Sequence, residues 1–146
     1  MKEKLLISAC LLGVGCRYDG GRVRKIDYTA LLDKYELIPV CPEIYGGLPT
    51  PRVPSERIGD KVIMKDGTDV TENYNRGMEH TVMMAEALGA RIALLKAKSP
   101  SCGKGRIYDG SFSGRLTNGD GVTAERLLEL GFDVYTEDEI DKLLGR

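Results

Sequence analysis

Short apolar runs alternate with amphipathic segments along this chain, and that alternation predicts most of its architecture. Leu5–Ala9 is an apolar run of the kind found in strands buried on both faces. Leu37–Val40, Ala90–Ala97 and Asp133–Tyr135 are read as three more strands. Helical periodicity lies between them. Ile26–Tyr35 spaces Ile26, Leu31 and Leu32 as a short helix. Thr71–Leu88 places Tyr74, Met78, Val82, Ala85 and Leu88 on one predicted face, with Gly89 positioned to cap it. Val122–Leu130, ended by Gly131, and Glu137–Leu144 complete the helices. Lys61–Met64 followed by Lys65-Asp66-Gly67 reads as a small hairpin or edge extension. Residues 13–25 and 98–121 are glycine-rich and predicted as loops, the second with room for a short hairpin. Residues 41–59 hold four prolines and three glycines, and no regular element is expected there. Strand–helix alternation of this kind implies a parallel sheet covered on both faces. The predicted fold class is α/β: a single-domain, Rossmann-like sandwich over residues 1–146, with a mostly parallel sheet of about four strands and helices on both faces.

Composition narrows the functional classes. The chain has 146 residues, 42% hydrophobic and 29% charged, with a formal net charge of −1. That length supports a core of its own. Bulk charge gives no argument for a nucleic acid or an anionic membrane as partner. No apolar run reaches the 18 residues of a transmembrane helix. MKEKLLISACLLGVG resembles a signal peptide on the surface, but two glycines and Cys10 interrupt it and no A-x-A-type site follows. It is read as a first strand, and the expected location is cytoplasmic.

Cysteine placement carries the chemistry. The chain has four cysteines, and three close apolar runs: Cys10 after KLLISA, Cys41 after ELIPV, and Cys102 after IALLKAKSPS. In an open parallel sheet the carboxyl ends of the strands share one edge, where ligands bind. Three thiols from distant sequence are therefore predicted to meet, with Cys16 in the loop after Cys10. Disulfide frameworks belong to small secreted chains, so reduced thiols are expected here. Soft thiolates at one site suit zinc, copper(I) or an iron–sulfur cluster. The spacing is not that of paired CxxC motifs and does not name the metal. The single histidine, His80, falls inside the long helix, which disfavours a mixed Cys/His site.

Other groups are predicted at the same edge. Glu43 lies two residues past Cys41, in position for proton transfer. Ser99 and Ser101 flank Pro100 just before Cys102, where a hydroxyl can orient a water or hold a substrate. Arg17, Arg52, Lys104 and Arg106 fall in the loops of that edge and are expected to make its mouth positive and bind substrate. GKGRIYDG (103–110) lacks the GK[ST] ending of a phosphate loop. Neither Ser nor Cys has a histidine base, which disfavours a hydrolase triad.

SACLLGVGCRYDG (8–20), CPEIYGGLPTPRVPSE (41–56), SPSCGKGRIYDGSFSG (99–114) and GDGVTAERL (119–127) together resemble the bacterial thiouracil desulfidase family, formerly a domain of unknown function. The resemblance covers essentially the whole chain. It implies a [4Fe–4S] cluster held by only three cysteines, with the fourth iron open to the sulfur of a thiolated base such as 2- or 4-thiouracil. The products would be uracil and hydrosulfide, without net redox. The family's catalytic glutamate and serine fall on Glu43 and Ser101. Cys10, Cys41 and Cys102 are the expected ligands on the strand-end argument, and Cys16 could replace one of them. Zinc is the fallback cofactor. The competing readings are a sulfur transferase related to tRNA thiolation and a non-enzymatic iron–sulfur or zinc module; the first would need an extended basic surface, the second a fully saturated metal site.

Overall fold

The computed structural model describes residues 1–21, 26 and 28–146. In chain order its elements are β1 (Glu3–Ser8), α1 (Thr29–Lys34), β2 (Tyr35–Val40), α2 (Pro42–Tyr45), β3 (Ser55–Ile58), β4 (Lys61–Met64) and α3 (Thr71–Leu88). They continue with β5 (Ile92–Leu95), β6 (Arg106–Tyr108), β7 (Leu116–Asn118), α4 (Val122–Glu129), β8 (Asp133–Thr136) and α5 (Ile140–Leu143). Four strands form an all-parallel sheet in the order β2-β1-β5-β8. The ladder runs from Glu3 opposite Tyr35 to Ser8 opposite Val40, with Leu5 opposite Ile92 and Ala93 opposite Val134.

The apolar runs are explained by what lies on each face of this sheet. Successive strand residues point to opposite sides. Leu5, Ile7 and Leu94 pack on one side with Leu31 of α1 and Leu143 of α5. Leu6, Ala93, Leu95 and Val134 pack on the other with Ala85 of α3 and Ala124 and Leu127 of α4. Both faces are covered, so the strands have no polar side to show. The sandwich is the predicted α/β fold. A third, smaller cluster of Leu48, Val62, Val70 and Tyr74 seats the β3–β4 hairpin on the start of α3. No helix among the described residues is long and apolar enough to cross a membrane.

Several local expectations change. Residues 41–59 do contain regular structure. Pro42 sits at the first position of α2, where its missing N–H costs nothing. β3 begins directly after the last proline, Pro54, and pairs antiparallel with β4. Tyr35 leaves the predicted helix to open β2, because its place in the ladder is opposite Glu3. The predicted loop 13–25 and helix 26–35 each extend over residues outside those described, 22–25 and 27. The terminal helix starts as a 3₁₀ turn, Glu137–Glu139, before α5. The hairpin foreseen in residues 98–121 is β6–β7.

The face of α3 also differs from its pattern. Tyr74, Gly77, Thr81 and Ala85 are buried, whereas Leu88 is exposed. The cause is a backbone approach. A Cβ on Gly77 would overlap the carbonyl oxygen of Pro42, and one on Gly46 would overlap the carbonyl of Asn73. Small residues, not large apolar ones, let α2 lie against α3. Thr81 can be buried because its hydroxyl donates to the Gly77 carbonyl at 2.8 Å.

Gly77→Ala sets side chain against main chain, which neither rotation nor repacking relieves. It should destabilise the fold by about 1–3 kcal/mol, as overpacking does, read as a lowered denaturation midpoint. An unchanged midpoint would show that α2 has room to move.

Candidate functional site

β2 lies on one side of β1 and β5 on the other, so the chain reverses its course across the sheet at β1 and β5. The crevice outside the carboxyl ends at such a switch point is where open α/β sheets bind ligands. A cavity of about 510 Å³ opens there. Ser8 at the end of β1, Val40 at the end of β2 and Lys96 just past β5 line it. The main-chain N–H of Lys96 donates to Ser8 Oγ at 2.9 Å, tying the two strand ends together.

All four cysteines line this cavity, and all are free thiols. Cys10 sits in a 3₁₀ turn directly after β1, and Cys41 precedes α2 directly after β2. Cys102 is held by the SPSC loop, whose carbonyls cap α4. Val122 N–H donates to Pro100, and the N–H groups of Thr123 and Ala124 to Ser101, satisfying donors that a helix start leaves open. Gly121 is required where it crosses this loop, since a Cβ there would stand 2.5 Å from the Ser101 carbonyl carbon. Cys16 is placed between two of the others: Cys41 Sγ donates to the Cys16 carbonyl at 4.0 Å, and the Cys10 and Cys41 thiols act most strongly on its protonation.

Three of the thiols, Cys16, Cys41 and Cys102, are raised above the ordinary thiol range. Hydrogen bonding with Cys16, then burial, holds Cys41 well above the ordinary thiol range. The Cys10 hydrogen bond, more than burial, raises Cys16. Burial pushes Cys102 up to about 12, against the lowering effect of hydrogen bonds from Ser8 and Ser101. Reactive cysteine nucleophiles have depressed values, which Cys16, Cys41 and Cys102 do not show. In a ligand role such thiols would give up their protons to a soft electron-pair acceptor. A single zinc ion needs donors about 2.3 Å from one point. Among the described residues no three His, Cys, Asp or Glu side chains converge that closely. Four free thiols lining one cavity are a soft donor set of the kind that holds thiophilic metals and iron–sulfur clusters.

Beside the thiols stands a closed polar network. Glu43 Oε2 accepts the Ser101 hydroxyl at 2.9 Å. Ser101 Oγ lies 3.0 Å from Ser99 Oγ and 3.5 Å from Cys102 Sγ. Ser99 Oγ in turn accepts the N–H groups of Ser101 and Cys102. Glu43 Oε1 takes Arg52 Nε at 3.2 Å and Nη2 at 2.9 Å. Both side chains are mostly buried, 3% exposed for Arg52 and 15% for Glu43. Tyr74 interacts with Glu43 and Ser55 at the base of this network; burial and the nearby carboxylate raise its phenol well above the usual range.

The structure brings Cys10, Cys16, Cys41, Cys102, Glu43, Ser101, Arg17 and Arg52 together around one cavity. The expected cationic mouth divides. Arg52 is present, but its five donors are spent on Glu43, on the Cys16 and Pro49 carbonyls and on Thr50 Oγ1, leaving none for a ligand. Lys104 is drawn off to Glu139 at 3.1 Å and over the Tyr135 ring, and Arg106 is exposed on β6; neither lines the cavity. Lys65, Lys96 and Lys98 line the cavity with Arg17, Lys96 being paired with Glu137 at 2.9 Å. His80 is exposed on α3. Sequence reasoning missed Glu56, Tyr74, Tyr108 and Phe112, all of which line the cavity. Tyr108 and Phe112 carried a signal, as aromatics in an otherwise Ser- and Gly-rich loop.

Known proteins share both fold and sequence. The chain superposes on the [4Fe–4S]-dependent thiouracil desulfidase TudS with a TM-score of 0.91 and 45% identity, covering 97% of this chain and 95% of that one. It is 39% identical over 150 residues to the uncharacterised protein YbbK of Bacillus subtilis strain 168, covering 96% of this chain and 99% of YbbK. The family model described as 2-thiouracil desulfurase matches residues 5–139. By that match the chain belongs to the 2-thiouracil desulfurase family.

Proposed function

We propose that this protein removes sulfur hydrolytically from a thiolated pyrimidine base, with a [4Fe–4S] cluster held by three of its cysteines. The observation that carries the reading is the hydrogen-bonded Glu43–Ser101 pair standing in the same cavity as four free thiols. The relationship to TudS supports it. Cys10, Cys41 and Cys102 are the proposed ligands. Cys10 and Cys41 directly follow strands of the rigid sheet, and Cys102 is fixed against the start of α4. Ligands on rigid elements hold a geometry better than ligands on loops. Cys16 lies beside them on a loop.

When bound, such a cluster with one iron free of protein thiolates supplies a soft Lewis acid for the C=S sulfur and the departing sulfide. The remaining work falls to the chain. Water is a poor nucleophile towards a thiocarbonyl carbon until a base takes its proton. Glu43 is placed for that role, because Arg52 occupies one carboxylate oxygen and turns the other to Ser101 and the cavity. Ser101 holds the water on the carboxylate, and its link to Ser99 fixes the direction of its hydroxyl. As the C–O bond forms, the proton passes to Oε2 and the C–S bond breaks with both electrons on sulfur. Thiouracil and water give uracil, hydrosulfide and a proton; no electron is gained or lost overall.

Three outcomes are expected of anaerobically reconstituted protein. Glu43→Gln and Ser101→Ala should keep their iron and lose roughly 10²–10⁴ in thiouracil turnover, the usual contribution of a positioned proton acceptor. Full turnover by iron-loaded Glu43→Gln would remove it as the base. Alanine variants of Cys10, Cys41 and Cys102 should each lose iron on analysis, whereas Cys16→Ala should retain it; the reverse pattern would reassign the ligands. Arg52→Met leaves Glu43 charged and unpaired, and should cost about 3–5 kcal/mol of stability, measured by denaturant unfolding.

A further inference from the structure

Among the described residues, two that are not glycine have a left-handed backbone: Lys98 at φ 69° and Phe112 at φ 54°. Both line the cavity. For a bulky side chain that conformation is an outlier, and such strain persists chiefly at functional sites, where surrounding structure enforces it.

The enforcing group at Phe112 is a buried carboxylate. Glu56, on β3 and 8% exposed, accepts the N–H of Gly110 at 2.8 Å and that of Phe112 at 3.1 Å on the same oxygen. Gly110 has φ 97°, and a Cβ there would overlap Ile58, so the loop is pressed against β3 as it turns. Ser111 and Ser113 on either side are exposed, their hydroxyls 2.6 Å apart. Phe112 is half-buried and belongs to none of the three apolar clusters. A phenyl ring outside every core, held at a cavity wall by a strained backbone, offers a planar apolar surface to a planar ligand. Hydrogen bonds can read the edges of a pyrimidine, but its faces offer only stacking.

We infer that Phe112 is a substrate-contact residue whose ring covers one face of the thiolated base, and that Glu56 is the positioning residue that holds it there. The inference rests on the functional reading above and adds to it what fixes the plane of the base before Glu43 and Ser101.

The test uses iron-loaded protein, with 4-thiouracil binding by calorimetry and steady-state kinetics in parallel. Phe112→Gly, which the left-handed backbone tolerates best, should keep its iron and thermal midpoint while affinity falls about tenfold or more, the scale of one base–aromatic stack. KM should rise by a similar factor, and Phe112→Tyr should restore both. Glu56→Ala should reproduce the loss. Glu56→Gln, whose amide oxygen still accepts both N–H groups, should retain most of the affinity. The double variant Phe112→Gly/Glu56→Ala should be no worse than Phe112→Gly alone, because both changes remove one contact. Wild-type affinity in iron-loaded Phe112→Gly would overturn the contact role, and additive losses in the double variant would overturn the positioning role of Glu56. An iron-loaded wild type that neither binds nor converts thiouracil would instead overturn the functional reading itself.

Discussion

The Arg52 guanidinium is the point on which the site's geometry depends. Five hydrogen bonds from one buried side chain join the Cys16 loop, the turn at Pro49–Thr50 and the Glu43 carboxylate of α2. A buried cation is tolerated only when its donors are all met, and a buried carboxylate only when it is paired. Each therefore makes the other admissible. A planar fork of five donors can hold three segments in one plane, which the flexible ammonium of lysine cannot do. The rest of the network follows from this placement. With one oxygen taken by Arg52, Glu43 has the other for Ser101, and Ser101 has Ser99 and Cys102 beside it.

Close backbone contacts deliver these groups to one place. α2 carries Glu43 and follows Cys41, and it lies against α3 only because Gly77 and Gly46 present no side chain. The SPSC loop carries Ser99, Ser101 and Cys102 and is fixed by capping α4, with Gly121 giving the clearance. In both cases the site is built on the sheet's covering layer as much as on its strands. The glycines determine position, and the polar side chains determine chemistry. This division explains why residues 41–59 and 98–121 are dense in breakers yet ordered: they are shaped to bring specific atoms to the sheet edge.

The protonation of the thiols suits such a place. Crowding and burial raise Cys16, Cys41 and Cys102 above the ordinary thiol range, unlike activated cysteine nucleophiles; as ligands they would release their protons to a soft acceptor. The cavity's lining also carries the cations Arg17, Lys65, Lys96 and Lys98 beside the clamped Arg52.

The sequence by itself determined the sheet and its contents. Runs such as Leu5–Ile7 and Ala93–Leu95 are apolar on both sides because both faces are covered, and that signal needs no knowledge of the partners. It also determined which edge carries the chemistry, since cysteines placed after strands must emerge at the carboxyl ends. Tertiary structure decided what depends on contacts between distant segments. The buried stripe of α3 follows Gly77 and Thr81 rather than Leu88, because a close backbone approach outweighs apolar spacing. Lys104 and Arg106 were expected at the mouth by loop membership alone, but Glu139 captures one and β6 exposes the other. Arg52 reads as a loop cation until three segments converge on it. Glu56 and Phe112, more than fifty residues apart, share a function only through two hydrogen bonds that no local pattern encodes. Periodicity and strand-end position are local properties of a chain; which charge is satisfied, and by whom, is settled only when the chain closes on itself.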